Sequence, residues 1–203
     1  ATLSTGFRRM GKQKYRKEIE QLFKKSPVVS FSSIARIVKS KKRGIKQYTK
    51  QLVRNLLLQG KIKKLTKGYY TMHDDPSLVV YCFKPSYLGL QDATGFHNLW
   101  EQETIPIVIT ARKVRSGIRK VMGANVLIRR LDKKYLFGFN YYKQGDLYLP
   151  YSDIEKTFID MVYFRWHINK NIMKKIRAKI NKKKLLMYLK SYSQKVNKKV
   201  LSY

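Results

Sequence analysis

Residues 45–72 of this 203-residue chain, IKQYTKQLVRNLLLQGKIKKLTKGYYTM, change their hydrophobic period at Gly60. Apolar residues before the glycine recur with the period of an amphipathic helix, which predicts a helix over 45–59. A glycine is typical just past the C-terminus of a helix. The pattern after it predicts two short strands, 61–65 and 69–72, joined by a glycine-containing turn.

The apolar side of the predicted helix indicates which side chains point away from the core. Tyr48, Leu52 and Leu56 recur every fourth residue, and Val53 and Leu57 widen the apolar stripe. If this stripe is buried, a polar stripe lies on the opposite side of the helix. Its members are Lys46, Gln47, Lys50 and Arg54.

The polar stripe has the chemistry that contacts duplex DNA. Arginine and glutamine side chains make bidentate hydrogen bonds to guanine and adenine edges, and a helix fits the width of the major groove. The ordinary alternative is that these are solvated charges on a surface helix. Further basic candidates for contact with phosphates lie on the hairpin and in the turn before the helix. They are Lys63, Lys64, Lys67, Lys42 and Arg43.

Two more helices are predicted before this one. Residues 15–25 carry apolar side chains at helical spacing and are followed by Pro27, which ends the pattern. A second helix is predicted over 30–38, where Ser30 or Ser32 is a suitable N-cap. Three short helices followed by a hairpin are typical of a winged helix-turn-helix, so we expect residues 1–72 to form a DNA-binding domain of that type.

The charge distribution also indicates a polyanionic partner. The chain has 45 Lys and Arg against 12 Asp and Glu, a formal net charge of +33. Residues 1–72 hold 20 basic and 2 acidic residues, 73–165 hold 13 and 10, and 166–203 hold 12 and none. A folded protein with this excess repels itself unless an anion compensates it, and nucleic acid is the expected partner. An anionic membrane surface is the less favoured alternative.

The nearly balanced middle segment, 73–165, is expected to be a mixed α+β domain, so the predicted fold class of the chain is α+β. A continuous apolar run predicts a buried strand, and alternating positions predict half-buried ones. Pro106 indicates that its strand is an edge strand or that the proline stands at the beginning of the strand. Strands are predicted at 77–83, 104–111, 125–130, 135–142 and 147–150, and helices at 87–100 and 153–167, the last capped by Ser152.

The basic tail, 166–203, carries isoleucines at every fourth position from Ile168 to Ile180, and the apolar pattern resumes at Leu185. This predicts two amphipathic helices with a break near 181–184. We expect their apolar faces to pack on the middle domain. A second protomer or another protein, and a membrane surface, are the alternatives.

The order of three motifs resembles the AbiEi-type antitoxins of type IV toxin–antitoxin systems. The predicted winged helix is followed by PSYLGLQDA at 85–93, similar to a family pattern P-S-Y-I-S-L-x-S-A-L, and by EKTFID at 155–160, similar to E-R-T-L-I-D. The likeness covers about residues 14–165 and departs at Gly89 and Gln91, where the family more often has small hydroxyl residues. It implies a cytoplasmic DNA-binding autorepressor whose second domain counteracts a nucleotidyltransferase-like toxin.

Enzymatic chemistry is not expected from these residues. Asp153, Glu155 and Asp160 fall on one predicted helix, but carboxylates near a helix N-terminus are favoured by the helix dipole without any catalytic role. The Glu-x-Lys element of one nuclease type does not occur, no phosphate-binding glycine loop is present, and Cys82 stands alone. We therefore expect no cofactor and no metal. An RNA-binding winged helix without an antitoxin role is the main alternative, because charge does not distinguish RNA from DNA.

Overall fold

The computed structural model of the protein describes residues 7–38 and 45–203, with the side chains of 15–38 and 46–203. Helices and strands are mixed along the chain, which confirms the predicted α+β class. The chain divides into two compact units. The N-terminal unit ends at Leu78, and the C-terminal unit runs from Val79 to Tyr203.

The N-terminal unit has three helices and three short strands over its described residues, and the strands form one antiparallel sheet in the order β1-β3-β2. Ser30 caps α2 by accepting a hydrogen bond from the Ser33 backbone N–H at 3.1 Å, which confirms one of the two predicted caps. The elements are α1 (Phe7–Lys25), β1 (Val29–Ser30), α2 (Phe31–Ile37), α3 (Ile45–Leu58), β2 (Lys63–Thr66) and β3 (Tyr69–Thr71).

A small apolar core holds these elements together. Every helix of the unit and the hairpin contribute to it, and Ile34 of α2 is completely buried at its centre. Because α3 and the hairpin share this core, the exposed sides of both are fixed relative to the same body. The buried members are Ile19, Phe23, Val29, Ile34, Val53, Leu56, Ile62 and Tyr70.

The C-terminal unit is built on a six-stranded mixed sheet in the order β6-β7-β5-β4-β9-β8. The pairs β5–β7 and β4–β9 are parallel, and the other neighbours are antiparallel. The strands are β4 (Ser86–Leu88), β5 (Ile107–Thr110), β6 (Gly117–Val121), β7 (Ala124–Arg130), β8 (Phe139–Gln144) and β9 (Leu147–Ser152). The helices are α4 (Leu90–Phe96), α5 (Ile154–Tyr163), α6 (Lys170–Lys179), α7 (Lys182–Leu189) and α8 (Gln194–Leu201).

The main core lies between the sheet and the helices. Tyr87 and Ile109 of the sheet share one apolar cluster with Phe158 of α5 and with the tail residues Ile176 and Leu189. The apolar stripe of the basic tail therefore packs on the middle domain of its own chain. Since α5 lies beneath the tail helices, all its residues from Glu155 to Val162 are buried.

Residues 79–83, the part of a 3-10 helix (Pro76–Phe83) that belongs to the C-terminal unit, lie against the opposite face of the sheet. Successive strand residues point to opposite faces, so Ser86 and Thr110 face away from the main core. Their hydroxyls donate to the carbonyls of Val80 at 2.6 Å and Phe83 at 2.7 Å. The strand predicted at 77–83 is therefore wrong. Its continuous apolar run signals burial, and burial alone does not distinguish a strand from a helical turn.

Several other predicted boundaries need correction. The helix predicted at 87–100 begins as strand β4, and only Leu90–Phe96 is helical. The strand predicted at 135–142 starts at Phe139, and β6 was not predicted. Helix α5 is capped by Asp153, which accepts from the Lys156 backbone N–H at 2.8 Å, rather than by Ser152. The basic tail forms three helices rather than two.

Over the described ranges, 7–38 and 45–203, no helix combines the length and the apolar character that crossing a membrane requires.

Candidate nucleic-acid interface

Helix α3 is held in place by one buried side. Thr49, Val53 and Leu56 are buried and lie at the i, i+4, i+7 positions of one helix face. Tyr48 was predicted to face the core, but it is 42% exposed and makes an edge contact with the ring of Tyr15, with centroids 6.2 Å apart. The centre of the buried face is thus rotated slightly, by less than one residue, because a completely buried threonine takes the place of the tyrosine, while Val53 and Leu56 are buried as predicted.

The predicted polar stripe is exposed in spite of this rotation. Lys46, Gln47, Lys50 and Arg54 are all exposed on α3. None of the three cations forms an ion pair with another described side chain. Their charges are therefore available to an anionic ligand, with only solvent to displace.

One exposed member of this surface was missed. With Thr49 and Val53 buried, the middle of the opposite side is formed by Gln47, Gln51 and Arg54, again at i, i+4, i+7. Gln51 donates its amide to the Asn55 side-chain carbonyl at 3.1 Å. The same periodicity, applied from Gln47 instead of from the apolar residues, identifies Gln51 in the sequence.

The three hairpin lysines are not equivalent. Lys63 is half-buried and ion-paired with Asp74, whereas Lys64 and Lys67 are exposed and unpaired among the described residues. Lys67 lies in the turn before Gly68, whose φ of 79° is a conformation that glycine adopts easily. Lys64 and Lys67 can therefore reach a ligand without breaking an internal contact. Two further candidates, Lys42 and Arg43, lie outside the described residues.

The C-terminal unit contains a buried polar cluster. The side chains of Lys156 and Asp160 are 0% exposed and form an ion pair one turn apart on α5. The Tyr87 hydroxyl donates to Asp160 Oδ2 at 2.5 Å, and Lys156 Nζ donates to the Tyr192 hydroxyl at 2.9 Å. The aromatic rings of Tyr87 and Phe137 flank the ammonium, with each ring centre 5.5 Å from it.

Burial shifts the titration of this cluster. It lowers the pKa of Lys156 and raises the pKa of Asp160, while the charge of each partner opposes the shift of the other. Burial, and then the Asp160 carboxylate, raise the pKa of Tyr87 well above its usual value. No substrate can reach these atoms while the unit is folded, so the cluster positions α5, β4 and the segment between α7 and α8, which carries Tyr192, relative to one another.

A second, half-exposed cluster ties α7 to the start of α5. Lys184 Nζ lies 2.9 Å from Asp153 Oδ2 and 3.3 Å from Glu155 Oε2. The Tyr188 hydroxyl donates to Asp153 Oδ2 at 2.7 Å. Burial lowers the pKa of Lys184, but Asp153 and Glu155 outweigh it and raise that pKa above its usual value. Asp153 and Glu155, two of the three carboxylates considered as catalytic candidates, thus form ion pairs with a lysine of the tail.

The remaining titratable candidates have ordinary structural roles. His97 lies 2.7 Å from the Ser152 carbonyl through Nε2, and burial lowers its pKa. Burial raises the pKa of the Cys82 thiol to about 12. In the part of the chain that the structure describes, no group of three or more His, Cys, Asp and Glu side chains is arranged to hold a metal ion.

No protein-family model matches the chain, and no curated protein has a sequence significantly similar to it.

Proposed function

We propose that this protein is a cytoplasmic, non-enzymatic transcriptional repressor that binds duplex DNA, with α3 as the recognition helix of a winged helix-turn-helix. The observation that carries this proposal is the exposed, unpaired stripe of Lys46, Gln47, Lys50 and Arg54 on a helix whose other side is packed in a core. Such a helix presents hydrogen-bond donors at fixed positions to a major groove.

The order of the other elements supports the same proposal. Two helices precede α3, and an antiparallel hairpin with two exposed lysines follows it. In this arrangement α3 reads base edges, while Lys64 and Lys67 contact phosphates and set the register without contributing sequence preference.

The first test is the salt dependence of binding. If the protein neutralises about 6–8 phosphates, the logarithm of the association constant falls with the logarithm of salt concentration with a slope of about −5 to −7. Anisotropy titrations of labelled duplex at several salt concentrations measure this slope. A slope near zero contradicts electrostatic binding of DNA.

The second test separates base contacts from phosphate contacts. Lys50→Ala or Arg54→Ala is expected to weaken binding to the DNA upstream of the protein's own gene by about 1–3 kcal/mol more than binding to random duplex. Lys64→Ala and Lys67→Ala are expected to weaken both about equally. Lys24→Ala, an exposed cation at the end of α1, is the matched control. Equal losses from all four variants would mean that α3 contacts only the backbone.

The RNA alternative is tested with the same duplex made of RNA. The deep, narrow major groove of A-form RNA does not admit a helix, so the DNA duplex is expected to bind more tightly. Tighter binding of double-stranded or single-stranded RNA would favour an RNA-binding protein.

The resemblance to AbiEi-type antitoxins supports one further part of the proposal. The C-terminal unit is then the part that counteracts a nucleotidyltransferase-like toxin encoded beside the protein. Co-expression of the full chain with the product of the neighbouring gene tests this role. Rescue of growth that persists in the Lys50→Ala/Arg54→Ala double variant is expected, because toxin neutralisation does not require promoter binding.

A further inference from the structure

The second basic region of the chain is its last part. The final acidic residue of the sequence is Asp160, and residues 166–203 hold 12 lysines and arginines. This excess is placed on α6, α7 and α8, which belong to the C-terminal unit and not to the unit that carries α3. It therefore needs an explanation separate from that of the α3 stripe.

The tail helices are fixed by their apolar sides. Ile172 and Ile176 of α6, Leu185 and Leu189 of α7, and Val200 of α8 are buried in the main core. The opposite, cationic sides of the helices therefore face outward at set positions. A peptide that binds a membrane surface inserts its apolar face among the lipids, and here that face is already occupied.

Only two tail cations have acidic partners among the described residues. Lys175 pairs with Glu101 at 2.6 Å, and Lys184 pairs with Asp153 and Glu155. These two are also the half-buried ones. The other tail cations are exposed and form no ion pair with a described side chain, although Arg177 donates to the Tyr203 backbone oxygen and Lys179 donates to the His97 carbonyl at 3.0 Å. They are Lys170, Lys174, Arg177, Lys179, Lys182, Lys183, Lys190, Lys195, Lys198 and Lys199.

The unpaired cations are grouped by helix geometry. On α6, Lys170, Lys174 and Arg177 follow the i, i+4, i+7 spacing of one face, opposite the buried isoleucines. On α8, Lys195 and Lys199 are one turn apart. Lysine is a point charge on a flexible stem, suited to phosphate groups and poor at bidentate readout of bases. The outward chemistry thus fits a regularly charged polyanion without regard to its sequence.

We infer that the exposed cations of α6–α8 form a second DNA-binding surface, which contacts the phosphate backbone of duplex DNA independently of sequence. This inference rests on the proposed DNA-binding function of the N-terminal unit. The two surfaces lie on separate units of one chain, so binding by either raises the effective concentration of DNA at the other. Base preference then comes from α3, and much of the affinity and salt dependence comes from the tail.

The test compares two full-length variants with equal changes of charge. The tail variant carries Lys170→Gln, Lys174→Gln, Lys195→Gln and Lys198→Gln. The control variant carries Lys113→Gln, Lys120→Gln, Lys133→Gln and Lys143→Gln, which alter exposed lysines elsewhere on the same unit. All eight positions are exposed, and circular dichroism checks that both variants are folded. Binding to random-sequence duplex is measured by anisotropy at several salt concentrations.

Each lost phosphate contact reduces the magnitude of the slope of log K against log salt concentration by about 0.9. The slope of the tail variant is therefore expected to be smaller in magnitude by about 3–4, and that of the control variant by less than about 1. Equal losses in the two variants would show that affinity follows net charge alone, and would overturn the inference. So would an unchanged slope in the tail variant.

Two further outcomes are distinguishable. If the wild-type chain does not bind duplex DNA, the proposed function fails together with the inference. If Lys50→Ala still weakens binding to the specific DNA but the tail variant behaves as the control does, only the inference fails. Vesicles containing phosphatidylserine form a third arm, because Leu186 and Met187 of α7 are more than half exposed. Loss of vesicle binding by the tail variant, with its DNA slope unchanged, would assign the surface to membranes.

Discussion

Replacing Lys156 by methionine is expected to destabilise the C-terminal unit by about 3–5 kcal/mol, the typical cost of removing one partner from a buried ion pair. The Lys156 side chain is completely buried, and its ammonium is the only cation paired with Asp160 among the described residues. Lys156→Met keeps most of the side-chain volume, so the cost arises from charge and not from a cavity. What remains is a buried carboxylate that still accepts a hydrogen bond from Tyr87 but has lost its cation.

The destabilisation caused by Lys156→Met depends on pH, and the burial of Asp160 determines whether it grows or shrinks as the pH rises. Burial already raises the pKa of Asp160, and the opposing charge of Lys156 is lost in the variant. The folded variant therefore binds a proton that the unfolded chain releases above about pH 4. Its stability falls as the pH rises from about 4 towards the raised folded pKa, so the destabilisation is larger at pH 7 than at pH 4.

Tryptophan fluorescence measures this effect selectively. The two tryptophans of the sequence, Trp100 and Trp166, both lie in the C-terminal unit and pack against its core. With a urea m-value of about 2 kcal/mol/M, a loss of 3–5 kcal/mol lowers the midpoint by about 1.5–2.5 M.

Lys175→Met is the control for this prediction, because half-buried Lys175 pairs with the exposed Glu101, and a solvent-screened pair of this kind is expected to contribute little to stability. If the midpoints of the Lys156 and Lys175 variants agree, or if the destabilisation by Lys156→Met relative to the wild type is smaller at pH 7 than at pH 4, the reasoning about the buried pair is refuted.

Two other changes test the packing of the same unit. Gly138→Ala is expected to lower the free energy of unfolding by about 2–4 kcal/mol, because φ is 70° and the new Cβ would lie 2.9 Å from both Lys156 Cβ and Tyr188 Cε2. Gly123→Ala is the control, because φ is 86° but no atom lies within 4 Å. It is expected to cost only about 1 kcal/mol in the same urea titration. Cys82 is expected to react with iodoacetamide about 1,000-fold more slowly in the folded protein than in urea at pH 8, because burial raises its pKa to about 12; similar rates in both states would mean that the thiol is accessible.

The sequence was most informative where local pattern decides the structure. Helix α3 and its exposed cations follow from hydrophobic period alone, and so does the buried stripe of the tail. The error at Tyr48 arises because a threonine was not counted as a core residue, although Thr49 is completely buried. Which of two neighbouring residues, Tyr48 or Thr49, enters the core depends on tertiary packing, and the hydrophobic period does not determine it.

The polar cluster around Lys156 could not be predicted for a different reason. Its members come from positions 87, 156, 160 and 192, which only the fold brings together. A lysine in an amphipathic helix is ordinarily exposed, and nothing local marks this one as buried. The 3-10 helix over 76–83 could not be predicted for the same reason. Its residues 79–83 lie against a sheet face that exists only once strands distant in sequence have paired.

The two motifs that resemble the AbiEi pattern meet inside this core. Tyr87 belongs to the first motif and Asp160 to the second, and both side chains are completely buried. These residues therefore hold the sheet to α5 and cannot touch a partner while the unit is folded. A likeness in these motifs supports a shared fold more strongly than a shared partner.

The departure at Gly89 has a packing explanation of the same kind. A Cβ at this position would lie 2.6 Å from Ile109 Cδ1 and 3.2 Å from the Tyr87 ring. A serine would therefore force the end of the Ile109 side chain to move, so glycine suits this close approach. Like Tyr87 and Asp160, Gly89 is buried, whereas Pro85 of the first motif is exposed and Gln91 is half-buried. Any specificity of the C-terminal unit for a protein partner must therefore reside in its exposed residues and not in the buried part of the two motifs.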